Sequence, residues 1–172
     1  MTPPRGAVTL ERLLSQVPTM PLIDLVAPNA ILPALKVNNK KQVLQEIAAR
    51  AALLTGQNER AIFETLMQRE KLGSTAVGNG IAIPHGKMPN LTRLFGLFAR
   101  LDRPIDFEAL DGQPVDLIFL LLAPEGAGAD HLKALARVAR LLRDPTVAHK
   151  LRASEDAEAL YAVLAMPSAS AA

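Results

Sequence analysis

The apolar run Leu117-Ile118-Phe119-Leu120-Leu121-Leu122-Ala123 constrains this chain more than any other stretch. It is too short to span a bilayer, which takes roughly 18 or more apolar residues. It has the length of a strand and no polar alternation, and a strand of that kind must be covered on both faces. Val115 to Leu122 therefore reads as the centre of a sheet, and the chain must supply layers on both sides of it.

The flanking patterns supply them. Asn39 is placed to cap a helix, with Gln42 as its capping-box partner and Val43, Leu44, Ile47, Ala51 and Leu54 along one stripe. Gly56 stops that helix. A second helix follows Asn58, with Ile62, Phe63, Leu66 and Met67 inward and Gly73 as its C-terminal cap. Val77 to Ile83 and Leu94 to Leu101 read as strands, and Asp111-Gly112 as a turn. A third helix is expected from Asp130 to Leu142, with Leu132, Leu135, Ala136, Ala139 and Leu142 inward and Lys133, Arg137 and Arg140 outward. Short helical patterns at Pro145 to Leu151 and Asp156 to Ala165 close the chain. This alternation predicts an α/β fold, a single layered domain with the sheet between helices.

A length of 172 residues is enough for one domain with a sizeable core. Residues 1–18 are expected to be a flexible extension, because Pro3, Pro4 and Pro18 bracket a brief helical pattern at Leu10, Leu13 and Leu14. Residues 19–165 form the domain, and 166–172 a frayed Ser/Ala-rich tail. The N-terminus does not read as a secretory signal. Cysteine is absent, which excludes disulfides and thiolate metal sites and fits a reducing compartment. The net charge of +2 and the absence of Trp argue for neither a nucleic-acid nor a membrane partner.

The chemistry concentrates in Ile81-Ala82-Ile83-Pro84-His85-Gly86-Lys87. Pro84 stiffens the end of an extended run and biases Ile83 toward extended backbone. Gly86 offers a flexible exit. Between them stands an imidazole, the side chain whose charge changes near neutrality, in a position suited to a nucleophile. Ile81, Ile83, Pro84, Gly86 and Met88 would form a small apolar surface around it. Of the other histidines, His131 lies at the start of the third helix, where exposed N–H groups favour an anion, and His149 reads as surface.

Each of these residues also has a structural reading. A histidine after a strand is often only structural, and His131 can serve as a helix-start residue. Arg69 suits a helix C-terminus electrostatically. Asn79, between two glycines, is a natural turn residue. Gly78-x-Gly80 lacks the third glycine and the following helix of a dinucleotide fingerprint. Lys133, Arg137, Arg140 and Arg143 are a solvated face or, alternatively, a docking surface for an acidic partner.

The run Arg69-Glu70-Lys71-Leu72-Gly73-Ser74-Thr75-Ala76-Val77-Gly78-Asn79-Gly80-Ile81-Ala82-Ile83-Pro84-His85-Gly86-Lys87 resembles the signature of the IIA phosphocarriers of the phosphoenolpyruvate-dependent phosphotransferase system, mannitol/fructose class. Pro104-Ile105-Asp106-Phe107, Gln113-Pro114-Val115-Asp116-Leu117 and His131-Leu132 with the helix behind it resemble the family's later blocks. The likeness covers roughly residues 20–165. It implies a mixed β-sheet covered by helices on both faces, a phosphoryl-accepting His85, a second active-site histidine at His131 and an active-site arginine at Arg69. It also implies Asn79, Ser74 and Gly86 as phosphate-supporting positions. Asn79 stands where sugar-specific members carry an acidic residue, which draws the chain toward the nitrogen-regulatory branch.

The implied function is a cytoplasmic regulatory phosphocarrier that is loaded by an upstream phosphohistidine carrier, uses no cofactor or metal, and turns over no substrate of its own. Two other functions compete with it. One is a sugar-transport IIA component that passes phosphate to a IIB domain. The other is a small hydrolase using His85 and His131 as acid and base.

Overall fold

The computed structural model describes residues 22–166. The expected extension at 1–18 and nearly all of the expected tail lie outside the described residues. Six strands and five α-helices follow a turn of 3₁₀-helix at Leu22–Asp24: β1 (Val26–Leu35), α1 (Lys40–Thr55), α2 (Glu59–Lys71), β2 (Ala76–Gly78), β3 (Ile81–Ala82), β4 (His85–Met88), β5 (Phe95–Ile105), β6 (Val115–Pro124), α3 (Ala129–Arg143), α4 (Pro145–Arg152) and α5 (Ala157–Ala165), with a second 3₁₀ turn at Glu125–Ala127 between β6 and α3.

The apolar run is the centre of the sheet. β6 pairs antiparallel with β5 on one side, and parallel with β3 and then β4 on the other. β1 closes one edge, parallel to β5, and β2 the other, antiparallel to β3. Leu117 through Ala123 are all fully buried, so both faces of the sheet are covered. Phe98, Phe107 and Phe119 are the largest side chains lost to solvent. At Gly96 a Cβ would stand 2.9 Å from the Leu25 carbonyl oxygen and 2.9 Å from the Phe119 ring, so β5 meets its neighbours only because this residue has no side chain.

Local chemistry sets the helix ends. Asn39 Oδ1 accepts from the Gln42 N–H at 2.9 Å, and Gln42 Oε1 accepts in return from the Asn38 N–H at 2.7 Å. This is a capping box displaced by one residue, and its asparagine contributes about 1 kcal/mol. Gly56 ends α1 with φ 75°, and Asn58 caps α2 through Ala61. Asp144 and Asp156 cap α4 and α5.

Away from His85, the structure departs from the sequence reading in four places. Val77 to Ile83 is not one strand but a tight hairpin, β2 and β3, turning through Asn79 (φ 57°) and Gly80 (φ 78°). β1 is a strand that alternation did not announce. Pro28 and Pro33 break its pattern, and it tolerates them because it lies at the sheet edge, with irregular register against β5. Leu132, expected inward, is 53 % exposed, and α3 instead buries His131, Ala134, Val138 and Leu141. Finally, the basic face of α3 is partly tied down. Arg137 forms a two-pronged pair with Asp24 at 2.7 and 3.0 Å, and Arg143 donates to the Val77 carbonyl at 3.3 Å.

Candidate functional site

His85 opens β4, opposite Leu121 on the central strand, and the Leu121 N–H donates to the Pro84 carbonyl at 2.9 Å. The ring is thus anchored to the stiffest part of the fold. Its Nδ1 lies 2.9 Å from the Ile83 carbonyl oxygen. A carbonyl only accepts, so Nδ1 carries the proton and Nε2 keeps its lone pair. Arg69, in the last turn of α2, donates from Nε to that Nε2 at 3.3 Å and from Nη1 to the Gly73 carbonyl at 2.8 Å.

His131, in the first turn of α3, meets His85 edge to face, with ring centroids 5.6 Å apart and an interplanar angle of 67°. It is 8 % exposed, and among the described residues its buried Nε2 has no hydrogen-bond partner. An unpartnered buried polar atom costs about 1–3 kcal/mol and calls for an explanation. A group arriving between the two rings would supply the partner.

Both histidines are held neutral. Burial pushes the His85 pKa below its ordinary value. The hydrogen bond to Ile83 opposes that push, the Arg69 charge adds to it, and the Glu70 charge opposes it. His131 is pushed down to about 4, first by burial and then by the charges of His85 and Lys87. At neutral pH the site therefore holds two uncharged imidazoles and one permanent cation, and among the described residues no carboxylate stands within ion-pair distance of Arg69. Such a site has an available nucleophilic nitrogen and an uncompensated positive charge, and it suits a phosphoryl group.

The structure brings together His85, His131, Arg69 and Gly86, but not Asn79. Gly86 is a regular residue of β4 rather than a flexible exit. Glycine is needed there because a Cβ would lie 2.6 Å from Thr65 Cγ2 on α2, the helix that carries Arg69. Ser74 faces inward, with its hydroxyl donating to the Phe107 carbonyl at 2.6 Å and accepting from the Ala76 N–H at 3.1 Å. Asn79 sits at the hairpin tip near Asp116, and His85 sits beside Leu121. The distance along β6 is on the order of 15 Å at ~3.3 Å per residue. The Asn79 N–H donates to Asp111 at 2.9 Å, and its carbonyl accepts from Arg152 at 2.6 Å.

The expected apolar surface around His85 is a correction. Ile81, Ile83 and Met88 are 1–3 % exposed and Pro84 is buried, because the β3–β4 passage runs inside the molecule. The exposed residues directly beside Arg69, Gly86 and His131 in sequence are Gln68, Lys87, Asp130 and Leu132. Sequence reasoning passed over Glu70, a buried carboxylate beside Arg69 in the chain. Its signal was available: a charged residue on the apolar stripe of α2, four residues after Leu66.

The sequence profile described as "Phosphoenolpyruvate-dependent sugar phosphotransferase system, EIIA 2" matches residues 24–166. The chain belongs to that IIA family. A nitrogen regulatory protein of Bradyrhizobium diazoefficiens is 78 % identical over 153 residues, which is 89 % of this chain and 100 % of that one. The crystal structure of nitrogen regulatory protein IIA-Ntr from Neisseria meningitidis superposes with a TM-score of 0.78 at 35 % identity, covering 82 % of this chain and 97 % of that one. IIA mannitol from Escherichia coli shares the fold, with a TM-score of 0.69 at 18 % identity over 80 % of this chain and 97 % of that one. Within the IIA family the chain falls in the nitrogen-regulatory branch, and its single mixed-sheet domain is the family's fold. Among the described residues no helix is long and apolar enough to cross a membrane.

Proposed function

We propose that this IIA protein is a histidine phosphocarrier with a regulatory output. His85 Nε2 accepts a phosphoryl group from an upstream phosphohistidine carrier, and the phosphorylation state of His85 decides which proteins bind. The observation that supports this best is the commitment of Nδ1–H to the Ile83 carbonyl, which leaves the Nε2 lone pair beside Arg69.

In the proposed step the donor's N–P bond breaks as a P–Nε2 bond forms, and the Nδ1 proton stays in its bond to the Ile83 carbonyl. Phosphoryl transfer is largely dissociative, so the protein's share is positioning and charge neutralisation. The Arg69 guanidinium would take one or two phosphoryl oxygens. His131 Nε2, in its N–H form, would donate to another and gain its missing partner. Phosphorylation then adds about −1.5 to −2 charge where a neutral ring stood. Partners that pack against unmodified His85 would be excluded, and partners with a matching cation would be favoured. The regulatory reading draws support from the relatives named nitrogen regulatory proteins. We assign the chain to the cytoplasm, in keeping with a sequence free of cysteine, and residues 19–165 as the unit sufficient for transfer.

The test is incubation with phosphoenolpyruvate and the general phosphotransferase enzymes, read by intact mass. Wild type and a truncation starting at Thr19 should each gain one phosphoryl group. A full gain by His85→Ala would overturn the acceptor assignment, and loss of transfer on truncation would overturn the domain boundary. Pull-downs with unphosphorylated protein, phosphorylated protein and His85→Ala should recover different partner sets; identical sets would refute the regulatory output.

A further inference from the structure

Behind the histidine site lies a buried polar cluster with no direct contact to His85. Glu70, 8 % exposed, accepts hydrogen bonds from the Thr75 N–H at 3.3 Å and from the Thr75 hydroxyl, and it pairs with Lys40 Nζ at 2.7 Å. The Lys40 ammonium also lies 5.0 Å from the centre of the Phe107 ring, and Ser74 donates to the Phe107 carbonyl from the other side. Keeping two charges buried is costly, and a pair like this is weak evidence for stability as such. What it does hold is the turn Leu72-Gly73-Ser74-Thr75, which α1, α2 and Phe107 grip together.

Both tethers of the reactive site hang from that turn. The Gly73 carbonyl receives Arg69 Nη1 at 2.8 Å and so aims the guanidinium. The Thr75 carbonyl receives the Ile83 N–H at 3.0 Å, and the Ile83 carbonyl in turn receives His85 Nδ1 at 2.9 Å. A continuous line therefore runs from Lys40 through Glu70, Thr75 and Ile83 to the ring. We propose that Glu70, clamped by Lys40 and bonded to Thr75, is a positioning residue for phosphoryl transfer, fixing the turn that orients the Arg69 guanidinium and sets the His85 ring with its proton on Nδ1. This rests on His85 being the phosphoryl acceptor.

Placement of this kind has large kinetic leverage, since a displacement of about 1 Å can cost on the order of 100-fold in rate. The experiment compares Glu70→Gln, Thr75→Val and Thr75→Ser with wild type, by single-turnover transfer from a phosphorylated carrier and by the ¹⁵N signature of the His85 ring in unphosphorylated protein. Glu70→Gln should slow transfer by roughly 10- to 100-fold and raise the Nε2–H tautomer. Thr75→Val, which is close to isosteric, should move both readouts the same way by a smaller factor, and Thr75→Ser should restore both. If Glu70→Gln fails to fold, the Thr75 pair decides the matter, because Thr75→Val replaces the hydroxyl that Glu70 accepts from and Thr75→Ser keeps it. Rates within about twofold of wild type and an unchanged ring signature in Thr75→Val would overturn the inference. The ring signature requires no phosphorylation. A wild type that takes no phosphate would therefore sink the acceptor reading, and the tautomer result would still judge the role of Glu70.

Discussion

Two arginines end helices at opposite ends of the central strand, and their surroundings differ in one respect. Arg152, the last residue of α4, grips Asp116 from Nε at 2.9 and 3.1 Å and from Nη2 at 3.0 Å, and Nη2 also reaches the Asn79 carbonyl at 2.6 Å. Arg69, in the last turn of α2, meets a neutral ring nitrogen and a backbone carbonyl. The first charge is cancelled by a carboxylate, and its work is to tie the β2–β3 hairpin to β6. The second is left uncancelled beside a lone pair, so it remains available to an incoming anion. Helix-end arginines look alike in sequence. What separates a strut from a binding group is whether the fold delivers a carboxylate to it.

That contrast can be broken experimentally, beginning where the effect should be greatest. His85→Ala should abolish phosphoryl uptake by intact mass, with no comparable loss from any change at the Arg152 end. Arg69→Gln should slow transfer by about 100-fold, the usual cost of losing a preorganised donor to a developing anion. Its stability should fall by about 1 kcal/mol, since an exposed bond to the Gly73 carbonyl and a long one to His85 Nε2 are lost.

The pH dependence of stability comes next. His131 stays neutral in the folded protein down to about pH 4, whereas the unfolded chain takes a proton near 6.5. Between those values the unfolded state binds more protons, so stability is full above pH 6.5 and is lost as pH falls toward 4. The loss is up to on the order of 3 kcal/mol, and depression of the His85 pKa acts in the same direction. His131→Gln should flatten most of this slope in urea titrations from pH 4 to 7. An unchanged slope would show that the buried imidazole does not resist protonation.

Arg152→Gln should reverse the Arg69 outcome. The Arg152 and Asp116 side chains are 36 % and 22 % exposed, so breaking their pair should cost about 1–2 kcal/mol, less than a fully buried pair would. Transfer should stay within about threefold of wild type, as expected for a residue that touches no reacting atom. A hundredfold loss would mean that the two ends of the sheet are coupled. Asn79→Asp should do least of all. It sets a second carboxylate beside Asp111 at a cost of a few tenths of a kcal/mol, and its distance from His85 should leave the transfer rate within about twofold.

Part of this contrast and of the fold around it is legible in the amino-acid sequence. The run from Leu117 to Ala123 demands a covered central strand, and it is one. Asn39, Asn58 and Gly56 mark helix ends because capping is a contest among neighbouring backbone groups, settled within a few residues. Pro84-His85 places an imidazole at the start of a stiff segment for the same local reason. Composition and period cannot show β1, whose prolines hide a strand that only an edge position permits. Nor can they show that Val77 to Ile83 folds back on itself, or that Leu132 faces water.

The site divides along the same line. The residue types at His85, His131 and Arg69 are visible one by one in the chain. Their meeting is not, because it depends on α2 packing against β4 across Gly86 and on α3 bringing His131 within 5.6 Å of His85. Whether an arginine finds a carboxylate, whether a histidine is desolvated enough to stay neutral and whether Glu70 is buried against Lys40 are all set by residues distant in sequence. Short-range chemistry is written into adjacent side chains. Charge compensation and burial exist only once the layers have closed, so in this protein sequence determined the parts of the site and tertiary structure alone decided which of them meet, which are desolvated and which arginine finds a carboxylate.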